Sequence, residues 1–172
     1  MAYTILDCYT DEPAGLGVPP YLGTYPRYIA GYLNEDVNYL TIDDLRLLKK
    51  HDGILHEPKK SQKTDITTYN LTVNHKNIKK ILEETNTLIV VLGVHVPGKY
   101  LSAIPGTLHE IIPLIKDLRC KKILTGPAVF GTQLFGGRFY EKADLSIFDK
   151  VSYDMFNFLY RDVKDFSVKG AS

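Results

Sequence analysis

The run Thr87-Leu-Ile-Val-Val-Leu92 has no polar face. A strand of continuous β-branched and leucine residues must be covered on both sides. The architecture that covers it is a parallel sheet between two helix layers. The rest of the chain agrees with that demand. Tyr3 to Cys8 reads as a first buried strand, Val37 to Leu40 as a second, Lys122 to Thr125 as another, and Ala143 to Phe148 as a late one. Gly53 to Leu55 has strand composition but is very short.

Helical signals lie between these runs. Thr24 is placed to cap a helix from Tyr25 to Leu33, with Pro26 in its first turn. Tyr25, Tyr28, Ile29, Tyr32 and Leu33 then form one apolar stripe for the core. Thr41-Ile-Asp-Asp44 opens a helix to Lys50 with a capping box, and Thr107-Leu-His-Glu110 opens another. Pro113 should kink that later helix. Asn74 to Thr85 reads as a helix buried through Ile78, Ile81 and Leu82, with Lys79–Glu83 and Lys80–Glu84 on its wet side. Ser152 to Val163 reads as a closing helix, and polar residues 56 to 73 read as a solvated loop or hairpin. Strands alternating with helices predict an α/β fold, Rossmann-like and doubly wound, with a mostly parallel sheet and helices on both faces. Residues 1–172 form a single domain.

Three glycine- and proline-rich segments follow apolar runs: 11–20, 93–106 and 126–138. Right-handed crossovers bring all three to one edge of the sheet, where ligands of such folds bind. The 93–106 segment is long for a connection without structure of its own, which favours a functional loop. Gly93 and Gly98 allow close backbone approach, Lys99 suits an anionic group, and His95 and Tyr100 stand beside them. Gly126, Pro127 and Gly131 complete the candidate rim. Gly131-Thr-Gln-Leu-Phe-Gly136 has the glycine spacing of a phosphate loop, but Gly137-Arg138 replaces the Lys-Ser/Thr, which excludes a nucleoside triphosphatase. Gly15-Leu-Gly17 lacks the third glycine of a dinucleotide fingerprint.

Asp7, Asp11 and Glu12 near the end of the first strand, with His95 across the rim, would make an acid/base pair; turn formation is the plainer role for such carboxylates. No serine sits on a Gly-x-Ser-x-Gly elbow, and Cys8 and Cys120 lack metal spacing and read as reduced, buried thiols of a cytoplasmic protein. With 21 Lys and Arg against 20 Asp and Glu, net charge is +1, so whole-chain electrostatics give no support to a nucleic-acid partner. No apolar run approaches the length of a membrane span, and the N-terminus lacks the pattern of a signal peptide.

Ile5-Leu-Asp-Cys-Tyr-Thr-Asp-Glu-Pro-Ala-Gly-Leu-Gly-Val-Pro-Pro20, the helix start Leu22-Gly-Thr-Tyr-Pro-Arg-Tyr-Ile-Ala-Gly31 and Pro97-Gly-Lys-Tyr-Leu101 resemble the N-terminal region of archaeal radical SAM proteins. Phe166-Ser-Val-Lys-Gly-Ala171 resembles the segment before their barrel. The resemblance implies a domain similar to cobalamin-binding Rossmann modules, packed on its own C-terminal radical SAM barrel. It implies that the rim loops either hold cobalamin, through Gly93, His95, Gly98, Lys99, Tyr100, Gly126, Pro127 and Gly131, or cover the active site of the barrel. The 4Fe-4S cluster and S-adenosylmethionine would belong to the barrel, because this chain has no Cys-x3-Cys-x2-Cys run and would not be catalytic alone. The Asp-x-His-x-x-Gly motif of cobalamin domains is also missing after the first strand. Two alternatives stand beside this reading. One is a docking or regulatory module without cofactor, anchored by Tyr21, Tyr25 and Tyr100. The other is a flavodoxin-like flavin or nucleotide binder.

Overall fold

The computed structural model describes residues 2–9, 24–55, 76–93, 105–126 and 144–151, with positions 57, 59, 60, 62, 67, 68, 72 and 129. The elements in chain order are β1 (Tyr3–Asp7), α1 (Thr24–Leu33), β2 (Val37–Thr41), α2 (Ile42–His51), β3 (Lys59–Lys60), β4 (Thr67–Thr68), α3 (Ile78–Glu84), β5 (Thr87–Val91), α4 (Leu108–Ile115), β6 (Lys121–Thr125) and β7 (Lys150–Val151). Five strands form one sheet in the order β2-β1-β5-β6-β7, and every pairing is parallel. β3 and β4 form a separate antiparallel hairpin within the polar 56–73 stretch.

All five residues of β5 are buried, as a strand without a polar face requires. Alternate residues feed two cores. Leu6, Leu40, Leu88, Val90 and Leu124 point to the layer of α2, α3 and α4. Ile5, Ile89 and Val91 point to the other side and pack on Ile29 of α1. Tyr25, Ala30 and Leu33 join that second core, whereas Tyr32 is 37% exposed, so the α1 stripe is narrower than its spacing suggests.

The capping box of α2 is complete: Asp44 N donates to Thr41 Oγ1 at 3.3 Å, and Thr41 N donates to Asp44 Oδ2 at 2.7 Å. At α4 only half forms. Glu110 N donates to Thr107 Oγ1 at 3.3 Å, but the Glu110 carboxylate binds Arg46 instead. α4 runs through Pro113 and ends two residues later.

One strand expectation is corrected, and the short 53–55 segment left open by the sequence is decided. Residues 144–148 form a turn, in which Ser146 N donates to Asp144 Oδ1 and Phe148 N to Leu145 O, both at 3.0 Å. The turn buries Phe148 against the core, and pairing begins only at Lys150. Gly53 to Leu55 is no strand: it follows the left-handed C-cap of α2 at Asp52, and Ile54 is 70% exposed. The expected helix at 152–163 lies outside the described residues.

Candidate functional site at the sheet switch point

Counting only the strands of the main sheet, their order is 2-1-3-4-5, as in the flavodoxin type of doubly wound fold. Connections from β1 and β5 then lead to opposite sides, the switch point outside whose C-terminal strand ends ligands of such folds bind. The backbone there is stitched across three strands. Cys8 N donates to Val91 O at 3.0 Å, and Leu92 N donates to Thr125 O at 2.8 Å. Gly106 N donates to Cys8 O at 3.2 Å, so the segment entering α4 lies against the exit of β1.

Asp7 is fully buried at the end of β1. Its Oδ2 accepts from Tyr39 Oη and its Oδ1 from Tyr9 N, at 2.7 and 2.8 Å. The expected acid/base role therefore meets a carboxylate already engaged in holding β2 and the turn after β1. Tyr9 sits at φ 62°, in the left-handed region that a bulky residue enters only when its surroundings hold it there. Its hydroxyl donates to Asp43 Oδ2 at 2.7 Å, which ties the turn to α2.

From Asp43 the network continues across the α2–α4 side. Arg46 Nη1 donates to Asp43 Oδ1 at 3.1 Å. Its Nε and Nη2 grip Glu110 Oε1 and Oε2 at 2.7 and 2.8 Å. Nη2 also lies 3.4 Å from Pro105 O. One guanidinium thus joins α2, the first turn of α4 and the end of the 93–106 segment. The bidentate fork explains why arginine occupies this position. Burial alone would lower the Arg46 pKa, but the hydrogen bonds to Glu110 and Asp43 outweigh it and raise it. The same bonds hold Glu110 below its ordinary range, against its own burial.

Two phenols and two thiols are pushed the other way, toward their protonated forms. Burial, then the Asp43 charge, pushes Tyr9 well up; burial, then Asp7, does the same to Tyr39. Burial likewise raises the thiols of Cys8 and Cys120, so neither is an activated nucleophile. Among the described residues no group of three His, Cys, Asp or Glu side chains could hold a metal ion. Among them, too, no helix is long and apolar enough to cross a membrane.

Of the eight rim residues expected from sequence, Gly93 and Gly126 are described, and both are buried at strand ends. His95, Gly98, Lys99, Tyr100, Pro127 and Gly131 lie outside the described residues, as do Asp11, Glu12, Tyr21 and the glycines of the first segment. Gly126 has φ +116°, and a Cβ there would lie 2.4 Å from Leu92 O, so the neighbouring strand already requires this glycine. Thr125 Oγ1, beside it, is buried and has no hydrogen-bond partner among the described residues. Tyr25 packs into the α1 core, which is a different position from that of an exposed interface anchor. Tyr9, Tyr39 and Arg46 had no sequence signal as rim residues. A carboxylate closing a buried strand was visible at Asp7, but its phenol partner lies 32 positions away.

No protein-family model matches the chain, and no solved structure does. An uncharacterized protein of Methanocaldococcus jannaschii is 30% identical over 194 aligned residues, covering 97% of this chain and 30% of that protein. An uncharacterized protein of Archaeoglobus fulgidus is 29% identical over 152 residues, covering 87% of this chain and 23% of that protein. The chain therefore spans less than a third of the length of these curated relatives, both of them archaeal.

Proposed function

We propose that this chain is the cofactor-binding-type domain of a radical SAM enzyme, with cobalamin at the switch point between β1 and β5. The observation that carries the reading is the sheet order, whose switch point, the usual ligand position in such folds, lies where the 93–106 segment leaves β5. The greater length of both archaeal relatives supports a partner domain in the same polypeptide. In this proposal that domain is the C-terminal barrel, and it carries the 4Fe-4S cluster and S-adenosylmethionine.

The described rim suits a ligand held by its periphery. Thr125 Oγ1 is a buried hydroxyl without a hydrogen-bond partner among the described residues. Gly93 and Gly126 bring backbone close to the same edge, and His95, Gly98, Lys99, Tyr100, Pro127 and Gly131 follow them in sequence. Bound cobalamin would supply organocobalt chemistry; this chain would bind it, orient it and exclude water.

The test is a titration with hydroxocobalamin, followed by desalting and an absorbance spectrum. Lys99→Ala, Gly98→Trp and Thr125→Val variants run alongside. Cobalamin retained by the wild type and lost by the variants is the expected result. No retention overturns the cobalamin assignment in favour of a docking module, and a flavin spectrum in the purified chain would replace it with the flavodoxin-like reading.

A further inference from the structure

The near-neutral total hides an uneven distribution of charge. Residues 49–80 hold eight lysines against three acidic residues, a local charge of +5, which leaves −4 on the rest of a chain whose total is +1. Lys49 and Lys50 lie in the last turn of α2, followed by His51, and all three are exposed. Lys76, Lys79 and Lys80, just before and within α3, are exposed as well, as is Lys60 of the hairpin. α2 and α3 pack on each other and bury Leu45, Leu47, Ile78 and Leu82 in one core, so their lysines share the outer surface of one layer. Glu83 and Glu84, exposed one turn on from Lys79 and Lys80, lower the local charge to +3 over residues 49–84, which stays positive; the Lys80–Glu84 pair, 3.8 Å apart and well exposed, is a weak one.

A second, independent feature sits in the same place. Ile54 is 70% exposed and Leu55 40% exposed. They are fixed at the end of α2, because Ile54 N donates to His51 O at 2.9 Å and Gly53 N to Leu47 O at 3.3 Å. Among the described residues the large exposed hydrophobics are this adjacent pair and Tyr32. A polyanion such as RNA would engage the lysines but give two aliphatic side chains nothing to enter. An anionic bilayer takes both, with lysines at the headgroup phosphates and aliphatic tips among the acyl chains.

We propose that the end of α2, with the adjoining face of α3, is a docking surface for an anionic lipid membrane. Ile54 and Leu55 are the inserting residues, and Lys49, Lys50, Lys79 and Lys80 supply the electrostatic attraction. Exposed residues carry the whole contact, so it is peripheral and reversible. It uses the helix layer rather than the ligand rim and stands apart from the cobalamin proposal.

The experiment is co-sedimentation of the 172-residue chain with phosphatidylcholine vesicles, with and without phosphatidylglycerol. Binding to the anionic vesicles alone, weakened by salt, is expected. Ile54→Asp/Leu55→Asp should reduce it by at least about tenfold. Lys49→Glu/Lys50→Glu should reduce it and flatten its salt dependence. Circular dichroism confirms that these surface variants stay folded. Absence of binding, equal binding to both vesicle types, or variants that bind like the wild type would overturn the proposal. So would tight binding of polyuridylate that the Ile54/Leu55 variant leaves unchanged, which would make the surface a nucleic-acid face.

Discussion

Replacing Arg46 with alanine removes the centre of the network that joins α2, α4 and residue 105. The wild-type guanidinium is 18% exposed, and its carboxylate partners Asp43 and Glu110 are 35% and 33% exposed. Fully exposed ion pairs contribute about 0.2–1 kcal/mol. Removing one partner of a fully buried pair costs about 3–5 kcal/mol. The site lies between these limits, and both carboxylates keep some access to water after the substitution. A loss of about 2 kcal/mol is therefore expected at neutral pH. Acid should change that figure. Glu110 titrates below its ordinary 4.5 in the folded chain, chiefly through its hydrogen bonds to Arg46. Stability from this pair is present above the unfolded value and disappears as pH falls through the folded one. The variant lacks that contribution at every pH, so the gap between the two proteins should narrow in acid. Urea unfolding at about pH 7 and about pH 3, run as a double-mutant cycle with Glu110→Gln, measures this. A gap below about 0.5 kcal/mol at neutral pH, or one that does not narrow in acid, would refute the reasoning.

Two glycine substitutions should differ in severity. Gly126→Ala sets a Cβ 2.4 Å from the Leu92 carbonyl oxygen at φ +116°, where only backbone could yield, and should cost about 3 kcal/mol or prevent folding. Gly106→Ala meets side-chain atoms of Ile42 and Ile111 at 2.9 and 3.2 Å, and should cost about 1–3 kcal/mol; thermal melts giving the reverse order would contradict the packing. Tyr39→Phe removes a hydrogen bond to the buried Asp7 carboxylate and should cost about 1.5–3 kcal/mol in urea unfolding. Because the folded state raises the pKa of Tyr9 and Tyr39, their stabilisation is complete below about pH 10 and is lost above it; spectrophotometric titration should find at least these two tyrosines ionising only on unfolding. A thiol reagent should modify half-buried Cys120 well before buried Cys8, and equal rates would show that the exit of β1 opens readily.

The elements that read directly from sequence are those with local causes. β5 announces itself through a run without polar residues, and the start of α2 through Thr41 and Asp44, which satisfy each other within one turn. The hairpin in the polar 56–73 stretch needed only composition. Errors came where distant partners decide. Leu145, Ile147 and Phe148 have strand composition, yet they serve core packing from a turn. Glu110 has the spacing of a capping residue, but a guanidinium 64 positions away offers it two charged hydrogen bonds. The edge of the candidate site was legible because crossover handedness sets where loops emerge. Its polar network was not, since Tyr9, Tyr39 and Arg46 acquire their roles only when β2, α2 and α4 converge on the end of β1.

The pairing of β1 with β5 also has a temporal side. Ala2 N donates to Asn86 Oδ1 across 84 positions, and Tyr3 lies opposite Thr87. A chain growing from the ribosome can join β1 to β2 early, but the second edge of β1 stays open until residue 91 has emerged. That edge is apolar and unprotected throughout the interval, so the nascent half-sheet is a natural client for a chaperone. Truncations ending before β5 should aggregate, and so should those ending between β5 and β6, which close the edge of β1 but open that of β5.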